Sequence, residues 1–411
     1  MAPAHDLWIG IDVGKTEHHA CAIDSNGKTV WSMRISNSQE AIEQLIGKGT
    51  ATARSPRWAI DITSGESAIL CTLLLAAAQT LVYIPGRVVN RMSAAFGGES
   101  KTDAKDARVI ADIARLHANL RAVEPKDPVV AQLMPLLSHR KDLNEDWVRG
   151  INRLRSSLAS IFPALEQALD LKTLAPLKLL TVARTPAQLR GMDKDALSRR
   201  LIDLGVRRPT ALSLAEKSLT AAGAQTIELP GEEIVNELVA AQARKLVGLH
   251  GEIYELDKRI AACFREHEAA QIIESMPGFG PVVGAEFLAV TNGRLESFPN
   301  SGHLAALAGL VPVARDSGRV AGNHHRPKRY NRRLRRAFFM AALSSLKSSE
   351  ASRRFYDRKR CEGRNHTQAI LALARRLVNV LWALLREGRT FTASPPAPTA
   401  VITMPEEAIA A

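Results

Sequence analysis

The sequence predicts an α/β amino-terminal domain followed by mainly α-helical segments. Residues 7–35 alternate apolar and polar runs (LWIGIDV, HHACAID, KTVWSMRI), which predicts three strands. Asn26-Gly27 lies between the second and third of these runs and is a strong signal for a hairpin turn, so the strands are expected to be antiparallel. Farther along the chain, apolar residues recur at three- and four-residue steps, which is typical of helices.

The elements after the hairpin are predicted to alternate between helix and strand. A helix is expected from about Ser38, with Ser38 or Asn37 as its cap, followed by a buried strand at RWAIDI, a helix at ESAILCTLLLAAA and a strand at LVYIPG. From Thr102 the chain should be helical again, with Ser100 and Asp103 spaced as a capping box. This order matches the ribonuclease-H-like layout, in which acidic residues gather on strands one and four and on a late helix.

The middle of the chain is predicted to be helical, beginning with residues 107–170. Two apolar seams recur at the a and d spacing of a coiled coil. They consist of Leu143, Trp147, Ile151, Leu154, Leu158 and Ile161, and of Leu246, Leu249, Ile253, Leu256, Ile260 and Cys263. The seams fit either two amphipathic helices of one bundle or an antiparallel coiled coil, which subunits could share. Residues 172–232 should hold short helices broken by Pro176, Pro186, Pro209 and Pro230.

A second compact unit is predicted at residues 271–386. ESMPGFGPVVGAEFLAVT indicates a helix, a tight turn and a second helix, and Gly278 and Gly280 would permit the turn. The backbone amides of this turn could face a phosphate, as in helix-hairpin-helix modules, or the segment could be a plain αα-hairpin. The final residues, TASPPAPTAVITMPEEAIAA, are rich in Pro and Ala and predict a disordered tail.

The composition indicates a soluble protein with a polyanionic partner. The 411 residues suffice for two or three domains, 46% are hydrophobic and the mean hydropathy is -0.08. A net charge of +13 and a pI of about 9.8 favour nucleic acid as that partner. No basic-then-apolar signal and no apolar stretch of roughly 18 residues is evident, so no membrane span is expected. The widely separated Cys21, Cys71, Cys263 and Cys361 predict reduced cytosolic thiols and argue against a zinc site or disulfides.

Four aspartates predict a metal site in the α/β domain. Asp12 lies on the first strand just before Gly14, and Asp61 lies in the apolar run WAIDI, where a carboxylate is costly unless it binds a cation or hydrogen-bond donors. Asp103 and Asp106 lie one helical turn apart and share a face, although Asp103 could instead be a first-turn acid favoured by the helix dipole. Carboxylates that hold Mg²⁺ suit hydrolysis or transesterification of phosphodiesters.

A serine among cations is the second candidate for chemistry. The segment AALAGLVPVARDSGRVAGNHHRPKRYNRRLRRAFFMAALSSL contains Ser317-Gly318, with Asp316 as its only acid and with His324 and His325 as further donors. Its cations are Arg315, Arg319, Arg326, Lys328, Arg329, Arg332, Arg333, Arg335 and Arg336. Such a density is neutralised by phosphates or stays solvated. Ser317 is either part of a turn or a nucleophile; because no Ser-His-Asp arrangement is evident, a nucleophile here would need activation by a metal.

Two family resemblances follow from these motifs. IGIDVGKT resembles the first phosphate loop of actin-like sugar kinases, but the later phosphate and adenosine loops of that class are not evident. The ordered set GIDVGK, DITSG, KTDAKDARVIA, SMPGFGPVVGA, LAGLVPVARDSG and NRRLRRAFFMAAL resembles the DEDD transposases of the insertion-sequence one-ten family, from about Leu7 to about Arg389. The second resemblance implies a RuvC-like domain at 1–125, a helical coiled-coil region at 126–268, a transposase domain at 269–390 and a tail at 391–411.

The transposase resemblance also implies roles for individual residues. The family's acids and serine fall on Asp12, Asp103, Asp106 and Ser317. The family's second acid is usually Glu, and Asp61 stands there; Glu66 is a nearby alternative, less favoured because it is expected to begin a helix. The implied cofactor is Mg²⁺. The implied partners are donor and target DNA, a non-coding bridge RNA, and further copies of the chain in a dimer or tetramer.

The resulting hypothesis is a bacterial, cytoplasmic transposase or recombinase that associates with the nucleoid when bound to DNA. Two alternatives remain open on the sequence. One is a RuvC-type nuclease that uses water as its nucleophile, in which Ser317 takes no part. The other is a non-catalytic nucleic-acid-binding protein with a degenerate acidic site.

Overall fold

The computed structural model describes residues 5–63, 65–93, 102–182, 185–295, 298–314 and 322–393. The chain divides into two compact units, Met1–Lys126 and Asp127–Ala411. The domain boundaries expected within the second unit stay predictions. The expected disordered tail lies outside the described residues, apart from its first three, 391–393.

The first unit contains a mixed sheet. Its strands are β1 (Leu7–Val13), β2 (Glu17–Ile23), β3 (Thr29–Ser36), β4 (Pro56–Ile60), β5 (Thr80–Tyr83) and β6 (Arg121–Ala122). Their order across the sheet is β3-β2-β1-β4-β5-β6. Strand β2 pairs antiparallel with both β1 and β3. Strands β1, β4 and β5 are parallel to one another, and β6 pairs antiparallel with β5. The predicted antiparallel strands are confirmed, and the order is consistent with the ribonuclease-H-like layout.

The helices of the first unit are α1 (Gln39–Thr52), α2 (Ala68–Ala76), α3 (Gly86–Ser93) and α4 (Asp103–Leu116). Ser38 caps α1 as predicted, because its side chain accepts a hydrogen bond from the Ala41 amide. The capping box predicted for α4 is wrong. Thr102 is the cap and accepts from the Lys105 amide, which makes Asp103 the first helical residue; Ser100 lies outside the described residues. Neither α3 nor β6 was predicted from the sequence.

Close contact between β1 and α4 fixes how the helix lies on the sheet. Gly10 faces α4, and a Cβ added there would lie 2.2 Å from the Ala107 carbonyl oxygen and 2.3 Å from the Ala111 nitrogen. Only glycine leaves room for the helix backbone at this distance. The contact therefore places the first turn of α4, with its two aspartates, over the end of β1.

Substituting Gly10 with Ala is expected to lower the free energy of unfolding by about 3 kcal/mol, because backbone atoms on both sides cannot yield to the new methyl group. The matched control is Gly47→Ala in α1, where no atom lies within 4 Å of the added Cβ. That exposed helical position should gain about 1 kcal/mol. Denaturant unfolding followed by circular dichroism measures both changes, and equal stabilities of the two variants would contradict the close-contact argument.

The second unit is mainly helical. Its helices are α5 (Pro128–Ile161), α6 (Pro163–Ala168), α7 (Leu174–Val182), α8 (Pro186–Arg190), α9 (Lys194–Asp203), α10 (Arg208–Gly223), α11 (Glu232–Arg265), α12 (Ala270–Ser275), α13 (Pro281–Thr291), α14 (Ser301–Leu307), α15 (Arg332–Ser348), α16 (Glu350–Cys361) and α17 (His366–Glu387). Two short strands, β7 (Val313–Ala314) and β8 (His324–His325), pair antiparallel. The continuous helix predicted for 107–170 is wrong, since α4 ends at Leu116 and α5 begins only at Pro128. Proline favours a first helical turn and cannot continue a preceding helix.

The long helices α5 and α11 pack antiparallel. Near one end, the Cys263 sulfur lies 3.9 Å from the Val129 carbonyl oxygen, and farther along Arg140 pairs with Asp257. Near the other end the Leu246 side chain packs at Gly150, with Cδ2 2.7 Å from the position a Cβ would take. The two predicted apolar seams therefore face each other within one chain. A coiled coil shared between subunits stays a prediction.

Two hydrophobic cores organise the second unit. One joins α12–α17 to one end of the α5–α11 pair and contains Phe287 and Phe338, whose rings pack edge to face. The other joins the short helices of the predicted 172–232 region to the opposite end of the pair. Among the described helices, only α17 is long and apolar enough to cross a membrane. Because one face of α17, including Ile370 and Leu381, is buried in the first core, we interpret it as a core helix.

Candidate active site

Strand pairing brings Asp12 and Asp61 to neighbouring positions. The parallel strands β1 and β4 pair in register, with Ile11 opposite Ile60, and the next residues are Asp12 and Asp61. Both aspartates are half-buried. Since the carboxyl ends of parallel neighbours lie at the same edge of a sheet, the register places the two acids side by side.

The Asp61 carboxyl is strained by its surroundings. Its Oδ1 is buried and has no hydrogen-bond partner among the described residues. Burial raises the pKa of the Asp61 carboxyl, and the nearby charge of Asp106 raises that pKa further. Two carboxylates that repel each other, one with an unpaired buried oxygen, form a place where a cation is favourable.

The two aspartates of α4 have different neighbours. Asp106 accepts a hydrogen bond from the Ser93 hydroxyl, with an oxygen–oxygen distance of 3.1 Å. Asp103 is exposed, and its Oδ2 lies 3.9 Å from a guanidinium nitrogen of Arg34 on β3. The structure thus brings Asp106 close to Asp61, whereas Asp103 interacts with the sheet's edge strand.

A row of side chains crosses the sheet from Asp12. His19 on β2 lies opposite Asp12, and Arg34 on β3 lies opposite His19. The His19 Nε2 is 2.8 Å from the Ser32 hydroxyl. Burial lowers the pKa of the His19 imidazole, Arg34 lowers it further, and Asp103 opposes both effects. No sequence motif singles out His19 or Arg34, because their position beside Asp12 depends on strand register.

The donor set at this edge suits a hard divalent cation. Within the described parts of the chain, no three His, Cys, Asp or Glu side chains are already placed together as a metal-binding group. The unpaired buried oxygen of Asp61 and the proximity of Asp106 nevertheless fit an oxygen-binding ion such as Mg²⁺. Asp12, Asp61 and Asp106 are the residues that could hold it most directly. Asp103 would become a further ligand if its side chain left the exposed contact with Arg34 and turned toward the ion.

Glu66, the alternative second acid, lies on a different element from Asp61. It is exposed in a 3-10 turn, Gly65–Ser67, that precedes α2. Its carbonyl oxygen accepts a hydrogen bond from the Asn37 side chain at 3.1 Å. The half-buried position of Asp61 beside Asp106 therefore favours Asp61 as the second acid.

Charged residues that sequence reasoning missed hold α4 in place. Arg57 on β4 is 8% exposed and donates to the carbonyl oxygens of Ala114 and Ala118 at 3.1 and 3.0 Å, which caps the carboxyl end of the helix. Asp112, 4% exposed, pairs with Arg108 and Arg115. An arginine in an apolar strand and an aspartate in an apolar helix were the signals that could have revealed them.

Ser317 lies outside the described residues, as do Arg315 and Arg319. The nearest described elements in sequence are β7 and β8. The remaining cations of the Arg-rich segment are described. Arg326, Lys328, Arg329, Arg332 and Arg336 are exposed.

Two arginines of α15 have partners inside the protein. The Arg333 Nε lies 2.8 Å from Oε2 of Glu286 on α13. Burial raises the pKa of the Glu286 carboxyl, and Arg333 acts against this rise. Arg335 donates to the Gly309 carbonyl oxygen at 3.0 Å and stacks on the ring of Tyr330. The four arginines of α15 therefore differ: Arg332 and Arg336 are exposed, whereas Arg333 and Arg335 have partners within the protein.

The glycine turn between α12 and α13 is packed against another helix. The predicted helix, turn and helix are confirmed. Gly278 has a φ of +84°, and a Cβ there would lie 2.0 Å from the Ala341 carbonyl oxygen of α15. Gly280 is exposed at the start of α13. The turn thus fixes α13 against α15, and a phosphate contact at its amides stays a prediction.

Comparisons with known proteins identify the family. A transposase family model matches residues 9–163, and a model of the IS116/IS110/IS902 transposase family matches residues 270–357. An uncharacterized 44.8 kDa protein of insertion element IS116 from Streptomyces clavuligerus is 47% identical over 96% of this chain and 99% of its own length. An uncharacterized 42 kDa protein of IS900 from Mycobacterium paratuberculosis is 44% identical over 93% of this chain and 96% of its own.

A more limited similarity extends to a gene-inverting protein. The pilin gene-inverting protein of Moraxella lacunata is 31% identical over 30% of this chain and 38% of its own length. The full-length similarities confirm the family that the sequence motifs predicted. The chain belongs to the IS110 family of insertion-element transposases.

Proposed function

We propose that this transposase cleaves and exchanges DNA strands at a Mg²⁺-dependent site built from Asp12, Asp61, Asp103 and Asp106, with Ser317 as the nucleophile. Family membership implies a DNA-cleaving or recombining enzyme. The observation that carries the metal site is the unpaired, buried Asp61 oxygen beside the charge of Asp106. A phosphodiester could not approach these carboxylates without a cation to offset their charge.

Each side chain of the site has a distinct task in this proposal. Bound Mg²⁺ would supply Lewis-acid polarisation of the scissile phosphate. Asp12 and Asp61 present carboxylates from adjacent strands, and Asp106 completes the set from α4. Ser93 orients Asp106 because its hydroxyl donates a hydrogen bond to Oδ1 of Asp106.

The serine step conserves bond energy. The Ser317 oxygen attacks the scissile phosphorus and loses its proton, while the bond from phosphorus to the 3′ oxygen breaks and that oxygen leaves as a 3′-hydroxyl. A 3′-hydroxyl from another strand then attacks the phosphoserine and releases the serine. No nucleotide cofactor is needed, because one phosphodiester replaces another. The cations that flank Ser317 in sequence support this role, since they can neutralise the phosphate under attack.

The proposed partners are donor and target DNA, a bridge RNA that pairs with both, and further copies of the chain. The net charge of +13 supports polyanionic partners. Strand exchange needs several active sites, which supports a dimer or a tetramer. Incubating the protein with element-end DNA, with Mg²⁺ or with a chelator, tests the function. Cleavage only with Mg²⁺ is expected, and no cleavage under any condition would favour the non-catalytic alternative.

The division of the α15 arginines leads to a binding prediction. Replacing Arg332 and Arg336 with Gln should lower the slope of log affinity against log salt by about 1.8 on duplex DNA, since each phosphate contact contributes about 0.9. Replacing Arg333 and Arg335 with Gln should leave the slope nearly unchanged but destabilise the fold by about 1–2 kcal/mol, because Glu286 loses its partner. Salt titrations and thermal melts of the two double variants measure both effects. Equal slopes for the two would show that α15 does not contact phosphates through its exposed face.

A further inference from the structure

We infer that α3 is the element that holds the DNA strand beside the acidic site, through Arg87, Asn90 and Arg91. This inference rests on the proposed cleavage function of that site. It names a binding surface that the sequence motifs did not indicate, because α3 itself was not predicted.

The two ends of α3 touch two of the acids. At its start, a Cβ on Gly86 would lie 3.7 Å from Oδ2 of Asp61. At its end, the Ser93 hydroxyl donates to Asp106. A helix of eight residues is about 12 Å long. Helix α3 therefore runs alongside Asp61 and Asp106, with one end at each acid.

The exposed face of α3 adjoins these contacts. Val89 is 3% exposed and packs in a core with Val88 and Met92. Arg87, Asn90 and Arg91 are exposed. At about 100° per residue around the helix axis, Asn90 lies next to Gly86 and Ser93. Arg87 and Arg91 lie farther around the axis in the same direction. A strand bound at the acids would therefore pass over an amide and two guanidinium groups.

The two arginines are available for a ligand. Within the described residues, neither Arg87 nor Arg91 forms an ion pair or a hydrogen bond through its side chain. Other arginines of the unit have partners within the protein: Arg108 and Arg115 pair with Asp112, and Arg57 caps α4. The guanidinium groups of Arg87 and Arg91 therefore remain positively charged and open to a ligand. Beside the carboxylates of Asp61 and Asp106, they offset the repulsion between those carboxylates and a phosphate backbone.

The partner that fits is a single DNA strand. Guanidinium groups bind phosphate oxygens through paired hydrogen bonds, and the amide of Asn90 can donate one more. Arg87 and Arg91 are one helical turn apart on the same face, so they can contact neighbouring phosphates. Because the surface adjoins the acids, the strand that it holds is the strand to be cut, and that strand is DNA.

Salt-dependent binding of the full-length protein tests the inference. The probe is a labelled single-stranded DNA oligonucleotide, and the variant is Arg87→Gln with Arg91→Gln. Its slope of log affinity against log salt should fall by about 1.4, at about 0.7 for each lost contact with a single strand. Each single variant should lose about half of that. Arg87→Lys with Arg91→Lys should keep the slope, since the charge remains.

The matched control is Lys28→Gln with Arg54→Gln. Both residues are exposed in the same unit, at the end of β1 opposite to Asp12. This variant removes the same charge and should keep the wild-type slope. Equal slopes for the α3 variant and the control would overturn the inference, and so would a loss confined to an RNA oligonucleotide of the same sequence. Thermal melts check that both variants fold.

The failure of this inference can be told apart from that of the proposed function. If Asp106→Asn cleaves DNA like the wild type, the proposed function fails, whatever the α3 variants do. If Asp106→Asn is inactive and the Arg87→Gln, Arg91→Gln variant binds and cleaves with unchanged KM, only the role of α3 fails. A raised KM with kcat nearly unchanged in that variant is the result expected for a strand-holding surface.

Discussion

Asp106→Ala is expected to reduce Mg²⁺-dependent strand cleavage by about a thousandfold or more, equivalent to about 4 kcal/mol, and to leave nucleic-acid binding largely intact. The carboxyl group of Asp106 lies near Asp61 and accepts a hydrogen bond from Ser93. It is not one of the basic groups proposed to bind phosphates. Asp12→Ala should behave in the same way. Cleavage assays and filter binding on the same preparations measure the two effects, and full activity in either variant would remove the metal-site assignment.

Asp106→Asn should change stability in a way that reports metal binding. The pKa of Asp61 is raised in the folded protein, so its ionised form costs stability at neutral pH, and this cost is absent at a pH below the unfolded pKa. Removing the charge of Asp106 reduces the cost. Asp106→Asn should therefore melt at a slightly higher temperature than the wild type in a chelator, and it should gain less from added Mg²⁺.

Glu66→Ala supplies the matched control for the second acid. Glu66 is exposed in the 3-10 turn before α2, so its removal should leave cleavage and the Mg²⁺-dependent melting shift unchanged. Asp61→Ala should lose both. The reverse pattern would assign the second acid to Glu66.

Ser317→Ala is expected to abolish both cleavage and strand exchange while the Mg²⁺-dependent melting shift persists. If the hydroxyl is the nucleophile, the wild type should form a covalent protein–DNA adduct on a substrate nicked to trap it, and the variant should form none. Ser317→Cys should keep weak activity at most, because sulfur is nucleophilic but poorly matched to Mg²⁺. Normal cleavage by Ser317→Ala would establish the alternative in which water is the nucleophile.

A mixing experiment tests how the two catalytic groups cooperate. Ser317→Ala and Asp12→Ala subunits are each expected to be inactive alone. If an active site uses the serine of one subunit and the acids of another, a mixture of the two variants should regain part of the activity. No recovery in a mixture shown to co-assemble would indicate that each chain supplies both groups to its own site.

The sequence by itself determined most elements of the first unit. Alternating apolar residues and Asn26-Gly27 predicted the antiparallel strands, because residue spacing and turn chemistry act locally. Local signals were less reliable where neighbouring residues compete. Thr102 caps α4 in place of Ser100, and the helix predicted across 107–170 is interrupted between Leu116 and Pro128, where β6 pairs with β5. Helix α3 was missed because an eight-residue helix carries too little periodicity to recognise.

The residue types of the candidate site were also recognisable in the sequence, since a carboxylate in an apolar strand is costly without a partner. Their arrangement was decided only by tertiary structure. The β1–β4 register sets Asp12 beside Asp61, and Ser93 reaches Asp106 from an unpredicted helix. Likewise, helical spacing shows that Arg332 and Arg336 share a face, but not that Glu286 binds Arg333. Such contacts join distant segments, and only chain packing brings them within reach.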